Sequence, residues 1–230
     1  MKDLRLTNEP RHIECFDNSN IQGAYPVAAM TVFKNLKPSK KDYRHFNIKT
    51  VEGPNDFASM EEIIFRRYKR LIEEQQPLPD LIVIDGGKGQ LGAALRARDE
   101  QNQNQLPFIG LAKREEQIVL SPTLSNVIVN EQALHKLGGF MTQSEDFVLI
   151  NLPHNTNLVK LLQRVRDESH RFAVSYHTVL KRTKQTASSL EDIPGIGPAT
   201  RRQLIRKFGS LRGLSAASED LAHIGSTTTH

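Results

Sequence analysis

The apolar positions in the first half of the chain fall into short runs and then change period. RHIECFDNSN, YPVAAMTVFKN and YRHFNIKTV are rich in β-branched and aromatic residues and are separated by Gly, Pro, Asn and Ser. This pattern predicts three strands joined as an antiparallel meander. In DFASMEEIIFRRYKRLIEEQ, Met60, Ile63, Ile64, Tyr68 and Leu71 recur at helical spacing. The spacing predicts a helix with Asp56 or Ser59 capping its start and Pro77 and Pro79 beyond its end. LIVID at 81–85 is a continuous apolar run ahead of Gly86-Gly87, which predicts a strand buried on both faces. GQLGAALRAR predicts a second helix and FIGLAK a fifth strand. Beyond these, EQIVLS and NVIVN read as a hairpin, QALHKLGG as a short helix and EDFVLINL as a further strand.

The strongest periodicity runs from Asn157 to about Lys181, where Leu158, Leu161, Leu162, Val165, Phe172, Tyr176, Val179 and Leu180 form one apolar stripe. KRTKQTASS then shows no period and reads as a polar, basic linker. The expected organisation is therefore an α/β domain over 1–182, a linker over 183–188 and a small all-helical unit over 189–230.

Composition narrows the class. With 230 residues, 38% of them hydrophobic, the chain can hold one large and one small folded unit. No apolar run approaches the ~20 residues of a membrane span, and MKDLRLTNEPRH has no signal-peptide core, so a membrane partner is not expected and a cytoplasmic location is. A single cysteine, Cys15, excludes a disulfide scaffold and a four-cysteine zinc site. The net charge of +5 is unevenly spread: 12 Lys and Arg face 6 Asp and Glu from residue 160 onward, against 19 and 20 before it. A basic surplus confined to one third of the chain points to a polyanion partner.

Candidate chemistry lies at the strand ends. Asp17 terminates IECF and Asp85 terminates LIVI. A carboxylate at the end of an apolar strand needs a cation, a hydrogen-bond donor or solvent. Two of them from neighbouring strands would suit Mg²⁺ or Mn²⁺; taken singly, each can equally cap a turn. Lys88, after Gly86-Gly87, suits a phosphate oxygen. GKGQLG at 87–92 nominally matches a dinucleotide fingerprint but lacks the acid about 20 positions on, and the Walker spacing is absent. His170 lies at the shoulder of the long apolar stripe and shares a face with Arg166, four residues earlier. In DIPGIGPATRRQLIRKFGSL, Gly195 and Gly197 permit a tight hairpin, and the helix that follows carries Arg201, Arg202, Arg206 and Lys207. This is the helix-hairpin-helix pattern, which holds a phosphate backbone without reading sequence.

Taken in order, IECFDNSNIQG, DYRHFNI, GPNDFASMEE, LPDLIVIDGGKGQL, IGLAKREEQIVL, LLQRVRDESHRFAVSYH and SSLEDIPGIGP resemble the C-terminal half of the UvrC family, the incision subunits of bacterial nucleotide excision repair. The resemblance implies a ribonuclease-H-like mixed sheet flanked by helices, then a helix-hairpin-helix domain whose tandem is incomplete here. It also implies a metal-dependent endonuclease that cuts on the 5′ side of a lesion in double-stranded DNA presented by UvrB. Carried over by motif, Asp17, Asp85 and His170 are the expected catalytic and metal-binding residues, with Asp56 of GPNDF as a further catalytic acid. Lys88, Gly195, Gly197, Arg201, Arg202, Arg206 and Lys207 are the expected DNA contacts. One departure stands out: Asn20 takes the place of a histidine common in the family, and it cannot act as an acid or base. A stand-alone nuclease of endonuclease-V type and a non-catalytic DNA-binding scaffold are the rival readings.

Overall fold

The structure is a computed structural model that describes residues 10–19, 27–51, 53, 55–112, 116–191, 198–208 and 213. For 177–191, Pro198, Arg201, Arg202 and Ile205 it describes only the course of the backbone. The chain divides into two units, Met1–Val174 and Ser175–His230.

The first unit is built on a sheet of nine strands among the described residues. β1 (His12–Ser19), β2 (Val27–Lys34), the two-residue β3 (Lys37–Pro38) and β4 (Arg44–Asn47) form the expected meander, with β1–β2 and β2–β4 antiparallel. Helix α1 (Asp56–Glu73) follows, then β5 (Leu81–Ile84), α2 (Lys88–Asp99) and β6 (Phe108–Ala112). β5 pairs in parallel with both β1 and β6, at the centre of the order β3-β2-β1-β5-β6-β7-β9-β8. β7 (Gln117–Leu120), α3 (Glu131–Lys136), β8 (Phe140–Ser144) and β9 (Phe147–Asn151) complete it. Helix α4 (Asn157–Glu191) begins in this unit.

Strand alternation sorts the core into two layers. Phe16, Met30, Ile82, Ile84 and Phe108 pack with Met60, Ile63, Tyr68, Leu91 and Leu95 of α1 and α2. On the opposite face, Ile13, Cys15, Leu81, Val83 and Ile109 pack with Leu134, Leu158, Leu162 and Val165 of α3 and α4. β5 is buried along its whole length because both layers cover it. This is the ribonuclease-H-like arrangement of a mixed sheet between helices.

Three expectations are corrected. Helix α1 is capped by Asn55, whose side chain accepts from the Ala58 amide, and not by Asp56 or Ser59. Asn55 has the extended backbone a cap requires, whereas Asp56 and Ser59 are already helical. NVIVN is not a strand: β7 pairs with β6 on one edge and β9 on the other, which leaves no edge for it, and Val127 packs under the sheet instead. Residues 183–188 are not a linker but lie within α4. They contain no Gly or Pro, and Lys, Gln and Ala continue a helix readily once it is nucleated.

In the second unit, α5 spans Pro198–Phe208, with Pro at its first position, where a missing N–H costs nothing. The expected turn glycines Gly195 and Gly197 lie outside the described residues, as does Asn20.

Candidate active site at the ends of two parallel strands

The register of β1 and β5 decides where the two acids go. Phe16 is paired with Ile84, and the Asp85 amide donates to the Phe16 carbonyl at 2.9 Å. Asp17 and Asp85 are therefore the next residues of two strands about 4.8 Å apart. Phe16 and Ile84 face the α1–α2 layer, so by alternation the two aspartates face the α4 layer. Both are buried, at 1% and 6% exposure. The turn that carries Asp85 sits close against β6, where only glycine fits: a Cβ on Gly110 would stand 2.9 Å from the Gly86 carbonyl oxygen.

Cys15, on the same face, senses both acids. Burial first, and then the charge of Asp85, push its thiol well above the usual pKa, with Asp17 adding in the same direction. Two negative charges thus converge on one buried spot, which is costly in the absence of a cation.

Helix α4 brings the third group. His170 Nδ1 lies 3.4 Å from Asp17 Oδ2, while 61% of the histidine side chain stays exposed. A cavity of about 530 Å³ opens here, lined by Asp85, Glu116, Arg166, Asp167, His170 and Arg171. Arg166 pairs with Glu116 at 2.9 Å and with Asp167 at 3.0 Å. Burial works against the arginine's charge, but these bonds outweigh it and raise its pKa. Glu116 also accepts from Gln163 of α4. Two α4 residues are thereby tied to the β6–β7 connection one to two turns before His170.

On the other side of His170, the Tyr43 hydroxyl donates to Glu168 Oε1 at 2.9 Å, and His45 stacks on Phe172 with centroids 3.9 Å apart. Burial, reinforced by the hydrogen bond to Glu168 and by its charge, pushes the Tyr43 phenol well above its usual pKa, so it stays a donor. The exposed histidine therefore stands on a helix held by side chains both before and after it.

The remaining expected residues fall elsewhere. Asp56 is half-buried at the start of α1; its backbone carbonyl accepts from the Asn18 side chain at 2.7 Å, and it does not line the cavity. Lys88 begins α2, and its ammonium donates to Ser144 at the end of β8. Arg206 and Lys207 are exposed on α5; Arg201 and Arg202 lie on the same helix. Glu116 was not singled out from sequence. An acid in the polar KREEQ segment resembles any solvated residue until the fold sets it against α4.

The donors present suit a hard divalent ion. Asp17 and Asp85 supply carboxylate oxygens on one face at neighbouring strand ends, beside a cavity with room for water and phosphate ligands. Among the described residues no group of three or more His, Cys, Asp or Glu is placed to hold an ion. No helix among the described residues is long and apolar enough to cross a membrane.

Residues 1–174 match the family described as the UvrC RNase H endonuclease domain. The chain is 50% identical over 219 residues to UvrABC system protein C of Flavobacterium psychrophilum, covering 95% of this chain and 33% of that protein. It is 48% identical over 220 residues to the same protein of Porphyromonas gingivalis, again covering 95% of this chain and 33% of that protein. The chain thus spans about a third of the length of these relatives. Among solved structures it is similar to human ENDOV, with 13% identity and a TM-score of 0.39 over 74% of this chain and 88% of that one. Two buried aspartates at the ends of adjoining parallel strands, with a helix-borne histidine against one of them, occupy the part of the chain that matches the family, and the chain belongs to the family of the UvrC RNase H endonuclease domain.

Proposed function

We propose that this chain is the incision half of a nucleotide excision repair nuclease, which cuts a DNA strand on the 5′ side of a lesion presented by UvrB. The observation that carries the reading is the β1–β5 register, which sets Asp17 beside Asp85 with His170 against Asp17. Asp17 and Asp85 would hold Mg²⁺ or Mn²⁺. When bound, such an ion acidifies water and stabilises charge on a phosphate undergoing displacement.

The chain's own groups do the rest. Asp17 orients the imidazole of His170 through Nδ1, which leaves the exposed edge of the ring to accept or return a proton at the scissile phosphate. This placement favours a proton-transfer role for His170 over direct ligation. Arg166, held by Glu116 and Asp167, presents a cation at the cavity wall for a phosphate oxygen. Lys88 would meet a phosphate in the first unit; in the second, the exposed Arg206 and Lys207 supply cations, and the segment around Gly195 and Gly197 would grip duplex backbone. Asp56 is retained only as an outlying acid near Asn18. The activity is exercised on cytoplasmic DNA.

Asp17→Ala tests the reading. Nicking of lesion-bearing duplex, in the presence of the partner that presents it, should disappear while DNA binding persists. Mn²⁺ should raise the melting midpoint of the native chain but not of the variant, as expected for a ligand of the folded state. Nicking at the native rate by the variant would remove the assignment. Cutting of a deaminated duplex by the native chain alone would favour an endonuclease-V-type enzyme, and DNA binding with no cleavage under either metal would favour a scaffold.

A further inference from the structure

Phe57 is a large apolar side chain that the hydrophobic core does not use. It is 50% exposed on the first turn of α1, whereas Phe16, Phe33 and Phe108 are completely buried. Its ring is nevertheless held in place. A Cβ built on Gly89 would stand 2.4 Å from Phe57 Cε1 and 2.7 Å from Cζ, so the far edge of the ring lies directly on the α2 backbone. Gly89 is in the first turn of α2, where glycine costs helix stability and makes no turn. What glycine provides there is room for the ring.

The chain segments on either side of the ring are those that carry the two acids. The carbonyl of Asp56, the residue before Phe57, accepts from Asn18, the residue after Asp17. Gly89 lies four residues beyond Asp85. An aromatic ring seated at one edge and open to water over about half its surface therefore stands at the strand ends, on the α1–α2 side of the sheet. His170 approaches from the α4 side.

From this placement we infer that Phe57 is a stacking platform for an unpaired nucleobase of the DNA strand whose phosphate lies at Asp17 and Asp85. In the nuclease reading, a divalent ion at Asp17 and Asp85 would hold a phosphate of the DNA strand at the strand ends. A fixed aromatic beside it gains from any base, because every base offers a π-face. The inference rests on the nuclease reading above and assigns it a residue that controls how the strand is held.

The chain contains no tryptophan, so Phe57→Trp places a single reporter at the site. Titration with a single-stranded dT oligonucleotide should quench its emission as the DNA binds. Phe57→Ala and Phe57→Leu should both weaken binding of that oligonucleotide, followed by anisotropy, by about 5- to 150-fold with an unchanged salt slope. The leucine variant keeps apolar packing on Gly89 but has no ring face, so a native affinity for it would reduce Phe57 to a packing residue. Unquenched emission on DNA-saturated Phe57→Trp would overturn the stacking assignment whether or not the alanine variant folds. If the native chain binds no DNA, the nuclease reading fails as well; if it binds DNA with these signals absent, only the stacking assignment fails.

Discussion

Strand β1 buries two acids three residues apart, on opposite faces, and the protein treats them differently. Glu14 is fully buried against α1, where Arg67 Nη2 donates to it at 2.5 Å and the Tyr68 hydroxyl at 3.0 Å. Asp17 is almost as buried, but it meets an exposed histidine and lies beside a second acid, Asp85, that lines an open cavity. The first site is electrically closed: an arginine and a phenol satisfy the carboxylate within the core. The second gathers negative charge at the end of the sheet, where a cation and a phosphate can reach it. Burial of an acid is therefore not by itself a sign of function. What distinguishes the two is whether the neighbours neutralise the charge or add to it.

Removing the carboxylate at each of the two positions should separate them. Asp17→Asn should lower the nicking rate by about 10³-fold, the several kcal/mol that a correctly held ion contributes to phosphate displacement. In metal-free buffer its denaturation midpoint should equal or exceed the native one, since the change relieves repulsion with Asp85. A destabilised Asp17→Asn would make this acid structural, like Glu14. Glu14→Ala should do the reverse. It leaves Arg67 mostly buried without its carboxylate and should cost about 3–5 kcal/mol in urea unfolding, with nicking per folded molecule unchanged. A stable Glu14→Ala would erase the contrast.

Smaller effects sharpen it. Tyr43→Phe removes the hydrogen bond to Glu168 and should cost about 0.5–1.5 kcal/mol of stability. If that bond also steadies the turn bearing His170, kcat should fall with little change in KM.

The smallest effect is on pH dependence. Burial outweighs the pull of Glu14 and lowers the His12 pKa below 6.5. As pH falls through 6.5, the unfolded chain takes up a proton that the folded chain refuses, so stability should decline from that point down to the folded-state pKa. His12→Gln should flatten this decline, measured by urea midpoints at a series of pH values. An unchanged slope would show that His12 is not part of the closed site.

The helices and strands were legible wherever one layer of the core left a periodic imprint. Met60, Ile63, Ile64 and Tyr68 mark α1, and the unbroken LIVI marks a strand covered on both sides. β8 left no imprint: as an edge strand with most of its side chains exposed or half-buried, it has no buried face to write a period of two. NVIVN misled for the opposite reason, since its apolar residues carry strand propensity but β6 and β9 occupy both edges of β7, its expected hairpin partner.

The residues themselves, read in order, determined the element types, the acid at each strand end, the histidine on the long helix and the family to which they point. Only the tertiary structure decided that β5 would lie beside β1, that Glu116 would brace α4, that Lys88 would turn to Ser144 and that Glu14 would be answered by Arg67. The physical reason is range. Propensity, capping and periodicity act over a few residues, whereas strand order and ion pairing join residues far apart in the chain, and their energies exist only once the sheet has assembled.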